Sequence, residues 1–270
     1  MPDALSAAEL ATLETFALEL AQAAGQAILP LFRADHGLYD KGPKSGRGFD
    51  PVTDADRGAE AAMRQLISAR FPHHGVLGEE YGADRTDAEY VWVLDPIDGT
   101  RAFIAGLPVW TTLIGLRVRG EAAVGAISQP FLGEVFVGSA RGSRLVDSAG
   151  ERPLKTRPCA KLDTAVIATT DPYLFQGDDF AAFERLRGAV RLARYGCDAY
   201  AYAMVAAGRM DLVVEAGLKA WDVDAAIPVL AGAGGMVADW TGALVGREGG
   251  RVLIVGDQGL IAPATALLSA

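Results

Sequence analysis

The chain has 270 residues, half of them hydrophobic, and its 25 basic against 34 acidic side chains give a formal charge of −9. That composition excludes a disordered chain, which has too little apolar surface to offset its entropy. It also excludes a general nucleic-acid binder, which needs a basic stripe to displace counterions from phosphates. The first residues carry Asp3, Glu9 and Glu14 with no early Lys or Arg, so no secretory signal is expected there. No apolar run approaches the ~20 residues of a membrane span, and residues 225–238 are interrupted by glycines and Pro228. Two cysteines, Cys159 and Cys197, point to a reducing, cytoplasmic setting rather than a disulfide framework.

In chain order, residues 6–33 read as a long amphipathic helix. Ser6 and Glu9 have capping-box spacing, and Leu10, Leu13, Ala17, Leu20, Ala24 and Ile28 recur every three or four residues. Residues 36–50 hold four glycines and several charges, and read as a surface loop that could serve as an active-site flap. A helix is predicted over 54–70 with Asp54 near its cap. Residues 90–97 are a β-rich run, followed by 111–118, 123–128 and 134–138 as an antiparallel meander. Beyond, strand-like 164–169, 190–194, 211–214, 236–239 and 252–255 alternate with helix-like 178–187, 198–207, 222–233 and 258–268, which indicates α/β layering. Two parts are expected, 1–150 and 151–270.

Three acidic segments adjoin runs that should be core: Gly78-Glu79-Glu80, Asp95-Pro96-Ile97-Asp98-Gly99-Thr100 and Trp221-Asp222. Carboxylates are rarely buried unless paired or bound to metal. Pro96 prevents that strand from continuing to pair normally. Asp95, Asp98 and the intervening Ile97 carbonyl can then converge on one point. Oxygen donors of this kind suit a hard cation, Mg²⁺ first, and paired ions can clamp a phosphate during attack by water. A helix starting at Gly99-Thr100 would turn its free amides toward phosphate. On those six residues alone, a plain Asx-capped turn is an equal reading; the other two acidic segments favour the metal site.

These segments, with Pro51-Val52-Thr53-Asp54-Ala55-Asp56 upstream and Ala231-Gly232-Ala233-Gly234-Gly235 downstream, resemble the inositol monophosphatase family over residues 44 to about 240. The resemblance implies a mixed α/β (α+β) fold, an α-β-α-β-α layered sandwich, and Mg²⁺-dependent, lithium-sensitive phosphomonoesterase activity on a small-molecule phosphate ester, with a homodimer as the assembly. By resemblance Glu79, Asp95, Asp98, Asp222 and the Ile97 carbonyl hold two or three Mg²⁺ ions. Asp50 and Thr100 activate water, and the Gly99 and Thr100 amides hold the phosphate. One departure is Trp221-Asp222-Val223-Asp224-Ala225-Ala226, where Asp224 and Ala226 replace small residues, which puts the shape of the substrate side in question.

Substrate choice is expected near 194–219. Gly196-Cys197-Asp198-Ala199-Tyr200-Ala201-Tyr202 and Glu215-Ala216-Gly217-Leu218-Lys219, with Arg101 after Asp-Gly-Thr, resemble the histidinol-phosphate phosphatase branch. Asp198 and Glu215 suit an ammonium and an imidazole as partners, although Asp198 reads equally as a helix N-cap. The rivals are an inositol-phosphate or sugar-phosphate phosphatase and an inactive binding relative; the retained acidic set argues against the latter. His36, His73 and His74 are expected at the surface. Cys197 is read as a small buried residue, and Trp92, Phe103 and Trp110 as core or pocket wall.

Overall fold

The computed structural model describes residues 5–42 and 51–270. Helix α1 (Ala7–Ile28) starts at the expected capping box. Ser6 Oγ accepts from the Glu9 amide, and Glu9 Oε2 accepts from the Ser6 amide at 2.8 Å. A two-stranded ribbon, β1 (Tyr39–Asp40) with β2 (Pro51–Val52), leads into α2 (Asp54–Arg70). Asp54 stands next to the cap of α2, which is Thr53: Thr53 and Asp56 form a second capping box, and Thr53 has the extended backbone a cap requires.

Strands β3 (Gly75–Gly78), β4 (Gly82–Asp84) and β5 (Tyr90–Asp98) precede a short helix, α3 (Thr100–Ile104). The meander continues with β6 (Thr111–Val118), β7 (Glu121–Gln129), β8 (Glu134–Ser139), β9 (Gly142–Asp147) and β10 (Gly150–Pro153). Together β3 to β10 make an eight-stranded sheet in the order β10-β9-β8-β7-β6-β5-β3-β4, antiparallel except for β3 beside β5. The second half contributes β11 (Val166–Thr169), α4 (Asp178–Ala189), β12 (Leu192–Tyr195), α5 (Tyr200–Ala206) and β13 (Leu212–Leu218). It continues through α6 (Ala220–Val223), α7 (Ala226–Ala233), β14 (Met236–Ala238), β15 (Gly250–Val255) and α8 (Ile261–Leu268). Its five strands order as β12-β11-β13-β15-β14.

The helix expected over 222–233 is two helices. Pro228 has no amide to reach the Asp224 carbonyl, so the chain breaks there and Pro228 falls in the first turn of α7, where a missing donor costs nothing.

Side-chain alternation stacks the layers. On β6, Ile114 and Leu116 join the core under α1 and α2, while Leu113 faces α5 and α7. On β13, Val213 shares that middle core and Leu212 and Val214 face α4 and α8. The succession is helices, sheet, helices, sheet, helices. Helix α1 is fixed by the fully buried Glu14, which takes bonds from Ser139, Arg141 and Arg144. Trp92, Phe103 and Trp110 are core. His74 is not a solvated histidine: its ring lies flat between Phe71 and Tyr90 at 4.5 and 4.7 Å, and its Nδ1 accepts from Trp92 Nε1. The Nε2 of His36 is likewise buried, with the ring beside Phe103. Local context suggested loops, but aromatic neighbours distant in sequence cover both rings. Among the described residues no helix is long and apolar enough to cross a membrane.

Candidate metal and phosphate site

The ladder between β5 and β6 pairs Asp95 with Leu113, then skips to Asp98 with Thr111. Pro96 and Ile97 form the irregularity because Pro96 cannot donate, and its carbonyl accepts from Thr112 Oγ1 at 2.8 Å instead. The bulge brings Asp95 and Asp98 to the same end of the sheet. Gly99 then turns the chain with φ +86, and a Cβ there would lie 2.8 Å from Asp198 Oδ2, so both backbone and space require glycine. Thr100 opens α3 and donates its hydroxyl to the Ile97 carbonyl at 3.1 Å.

Asp222 arrives on α6 from the second half. Carboxylate oxygens of Asp95, Asp98 and Asp222 lie within 4.8 Å of one another. Glu79 joins from the turn after β3, its carboxyl in hydrogen-bond contact with Asp95. Burial, then the charges of Glu79, Asp98 and Asp222, hold the Asp95 carboxyl well above the usual range. Asp98 is raised by burial and then by Asp198 and Asp222. Glu79 is raised by burial too, although Lys41 opposes it. The Lys41 ammonium sits 3.1 Å from Glu79 Oε1 and also pairs with Glu80.

This donor set fits a divalent cation on two counts. Among the described residues Asp95 Oδ1 is buried with no hydrogen-bond partner, which is costly unless something positive faces it. The donors are all oxygens, the choice of a hard ion.

The turn that carries Glu79 rests on Glu60 of α2. This fully buried carboxylate accepts from the Glu80 amide at 2.8 Å, the Tyr81 amide at 3.2 Å and Arg64 Nε at 2.8 Å. Gly78 leaves it room: a Cβ there would lie 2.0 Å from Glu60 Oε1. Glu60 did not stand out in the sequence, and Asp56 did so only as part of the Pro51–Asp56 segment, with no role of its own. Asp56 is buried, accepts from the Thr53 amide and hydroxyl at 2.7 and 2.6 Å, and its charge bears on Glu79 and Asp95. Burial pushes it up to about 6. Its signal was the Thr53-x-x-Asp56 spacing, which marks a cap as readily as a site. Asp50 lies outside the described residues, as do 43–49 of the expected flap.

On the substrate side, Asp198 is not the cap of α5. It takes φ +43, a left-handed conformation that Asp tolerates, and the N-cap is Ala199. The Ala199 amide donates instead to Asp98 Oδ2 at 2.6 Å. Asp198 is pushed up to about 6 by burial, against a hydrogen bond from Thr170 and the charge of Arg101. Arg101 itself is exposed on α3. Glu215 is buried with both oxygens engaged: Oε1 accepts from the Thr170 amide at 2.6 Å and Thr170 Oγ1 at 3.0 Å, and Oε2 from Thr169 Oγ1 at 3.2 Å. It fixes the turn that carries Thr170 to Asp198. Tyr202, fully buried one helical turn on, is held protonated by burial and then by Glu215, Asp98, Asp222 and Asp198. Burial raises the Cys197 thiol as well, which disfavours its thiolate.

A profile of the inositol monophosphatase family matches residues 9–269. The bifunctional phosphatase IMPL2 of Arabidopsis thaliana is 44% identical over 89% of this chain and 68% of its own length. The histidinol-phosphatase of Chlorobaculum parvum is 34% identical over 93% of this chain and 92% of its own. Among solved structures, an inositol monophosphatase from Zymomonas mobilis aligns with a TM-score of 0.86 at 38% identity, covering 98% of this chain and 100% of that one.

Proposed function

The chain belongs to the inositol monophosphatase family, and from that premise we propose that it is a Mg²⁺-dependent phosphate monoesterase that converts L-histidinol phosphate to L-histidinol and phosphate. The observation that carries the phosphatase reading is the carboxylate triad of Asp95, Asp98 and Asp222, in which Asp95 Oδ1 is buried without a hydrogen-bond partner among the described residues. In this reading Glu79, Asp95, Asp98, Asp222 and the Ile97 carbonyl hold two or three Mg²⁺ ions. Bound there, the ions would offset the ester's negative charge and lower the pKa of water. The Gly99 and Thr100 amides bind the phosphate oxygens. The Thr100 hydroxyl donates a hydrogen bond to the Ile97 carbonyl, which leaves its oxygen lone pairs to accept a hydrogen bond from the attacking water and orient it. Asp50 is the expected partner of Thr100 in this task.

For the substrate, Asp198 supports histidinol phosphate. It stands against Gly99, beside the phosphate-binding turn, with Arg101 nearby. A carboxylate there complements an ammonium or an imidazolium, which an uncharged polyol does not offer. Glu215 supports the same reading indirectly, through Thr170. Relatives named histidinol-phosphatase agree with it, and those named inositol monophosphatase keep inositol phosphate as the second reading. Two free cysteines accord with a cytoplasmic setting, and the family resemblance with a homodimer.

The test is phosphate release from histidinol phosphate, inositol 1-phosphate and an aryl phosphate, with Mg²⁺ and with EDTA. The expected result is an EDTA-sensitive kcat/KM at least ~100-fold higher for histidinol phosphate, about 2.7 kcal/mol of differential transition-state binding. A flat profile or an inositol preference overturns the substrate; activity that survives EDTA overturns the chemistry.

A further inference from the structure

Asp222 is the one member of the carboxylate triad that the second half supplies, so some structure must hold α6 in register with β5. Asp224 lies two residues beyond Asp222 and faces away from the triad. It is 4% exposed and forms a two-pronged bond with Arg117 of β6, through Nε and through Nη2 at 3.0 Å. Arg117 Nη2 also donates to the Arg247 carbonyl at 2.6 Å. Arg117 pairs across the sheet with Val91 of β5, the strand that ends in Asp95 and Asp98.

The backbone beneath has no room to slide. Gly115, Gly125 and Gly138 are cross-strand neighbours on β6, β7 and β8, and the α6–α7 segment lies directly on that row. A Cβ on Gly115 would lie 2.9 Å from Asp224 Cβ, one on Gly125 would lie 2.0 Å from the Ala225 carbonyl oxygen, and one on Gly138 would lie 2.7 Å from the Pro228 carbonyl oxygen. The glycines set the height of the segment above the sheet. The Arg117–Asp224 fork sets its position along the sheet, because a bidentate pair fixes direction as well as distance.

We infer that Arg117 and Asp224 are positioning residues for cation binding, which hold the Asp222 carboxylate against Asp95 and Asp98. The inference rests on reading the triad as a cation site. It also explains why an acid stands at 224, where small residues are usual in the resemblance: its partner is Arg117 and not the substrate. Outer groups that orient metal ligands typically change metal affinity by 10- to 100-fold when removed.

The experiment separates positioning from mere stability by replacing the pair rather than breaking it. A buried ion pair exchanged for apolar residues of similar volume is often neutral for folding, so the test variant is Arg117→Met with Asp224→Leu. Mn²⁺ binding to the metal-free protein is measured by titration calorimetry, alongside Tm in EDTA and the Mg²⁺ dependence of turnover. The expected result is a Tm close to wild type, a Kd for Mn²⁺ raised at least about tenfold, and a kcat that recovers at high Mg²⁺ with KM for the phosphate ester little changed. A wild-type Kd in the double variant overturns the inference while leaving the phosphatase reading intact. A wild-type protein that binds no Mn²⁺ overturns that reading and this inference with it. If the double variant does not fold, Arg117→Lys, which keeps the charge and loses the fork, decides: an unchanged Kd refutes the positioning role.

Discussion

Glu60→Gln isolates what keeps Glu79 in place. The carboxylate serves three donors, the amides of Glu80 and Tyr81 and Arg64 Nε. A glutamine offers one acceptor oxygen and turns an NH₂ toward the rest. At least one buried amide then loses its partner, at about 1–3 kcal/mol. The Arg64 pair, whose side chains are 19% and 0% exposed, loses its charge. That adds ~1–2 kcal/mol, well below the cost of breaking a fully buried pair, because Arg64 keeps a bond to the Gly82 carbonyl. The sum is about 3 kcal/mol, or ~6–12 °C in Tm at the 2–4 °C per kcal/mol of a chain near this size. Scanning calorimetry in EDTA reads it without metal masking the loss. The same loosening of the 78–81 turn raises the Mg²⁺ concentration for half-maximal turnover. A Tm within about 2 °C of wild type refutes the energetic argument, and a lowered Tm with an unchanged Mg²⁺ requirement refutes the link to Glu79.

Asp95→Asn and Asp98→Asn should each abolish turnover, since a neutral amide holds a cation weakly; a near-wild-type rate at saturating Mg²⁺ would contradict the site. Asp198→Asn should raise KM for histidinol phosphate roughly tenfold, the loss of one charge-assisted hydrogen bond, and leave an aryl phosphate almost unaffected; equal effects on both substrates would remove Asp198 from recognition. His74 has a lowered pKa, by burial and then by the charge of His73. Folding therefore favours its neutral form, and stability is full above the ordinary value of 6.5 and declines as pH falls below it. Urea midpoints at pH 7.5 and 5.5 should show an acid loss in wild type that shrinks in His74→Gln, and an identical loss in both would refute the assignment.

What the sequence made legible was local. The Ser6–Glu9 box, the period of α1, the alternation of the meander strands and the break at Pro96 each depend on residues a few positions apart, and each stands in the structure. Asp95, Asp98 and Asp222 were readable because acids adjoining apolar runs demand an explanation. Residues whose roles come from remote partners were not readable. Glu60 matters because of a turn 20 residues downstream, His74 because three aromatic rings close around it, and Asp224 because Arg117 stands 107 residues away. Asp198 offered two local readings, cap or ligand, and the structure removes the cap, because the helix is capped by Ala199, whose amide bonds Asp98. Pro228 was in view, but the apolar period running through it concealed the break between α6 and α7.

That amide bond has a bearing on how the protein can diversify. Asp98 belongs to the carboxylate triad, and the Ala199 amide belongs to the segment proposed above to recognise the substrate. Exchanging residues 196–199 for those of a relative therefore also alters a partner of Asp98. Chimeras that import a new recognition segment must keep the backbone path at 198–199, including the left-handed turn at Asp198, or they redirect the acid as well as the preference.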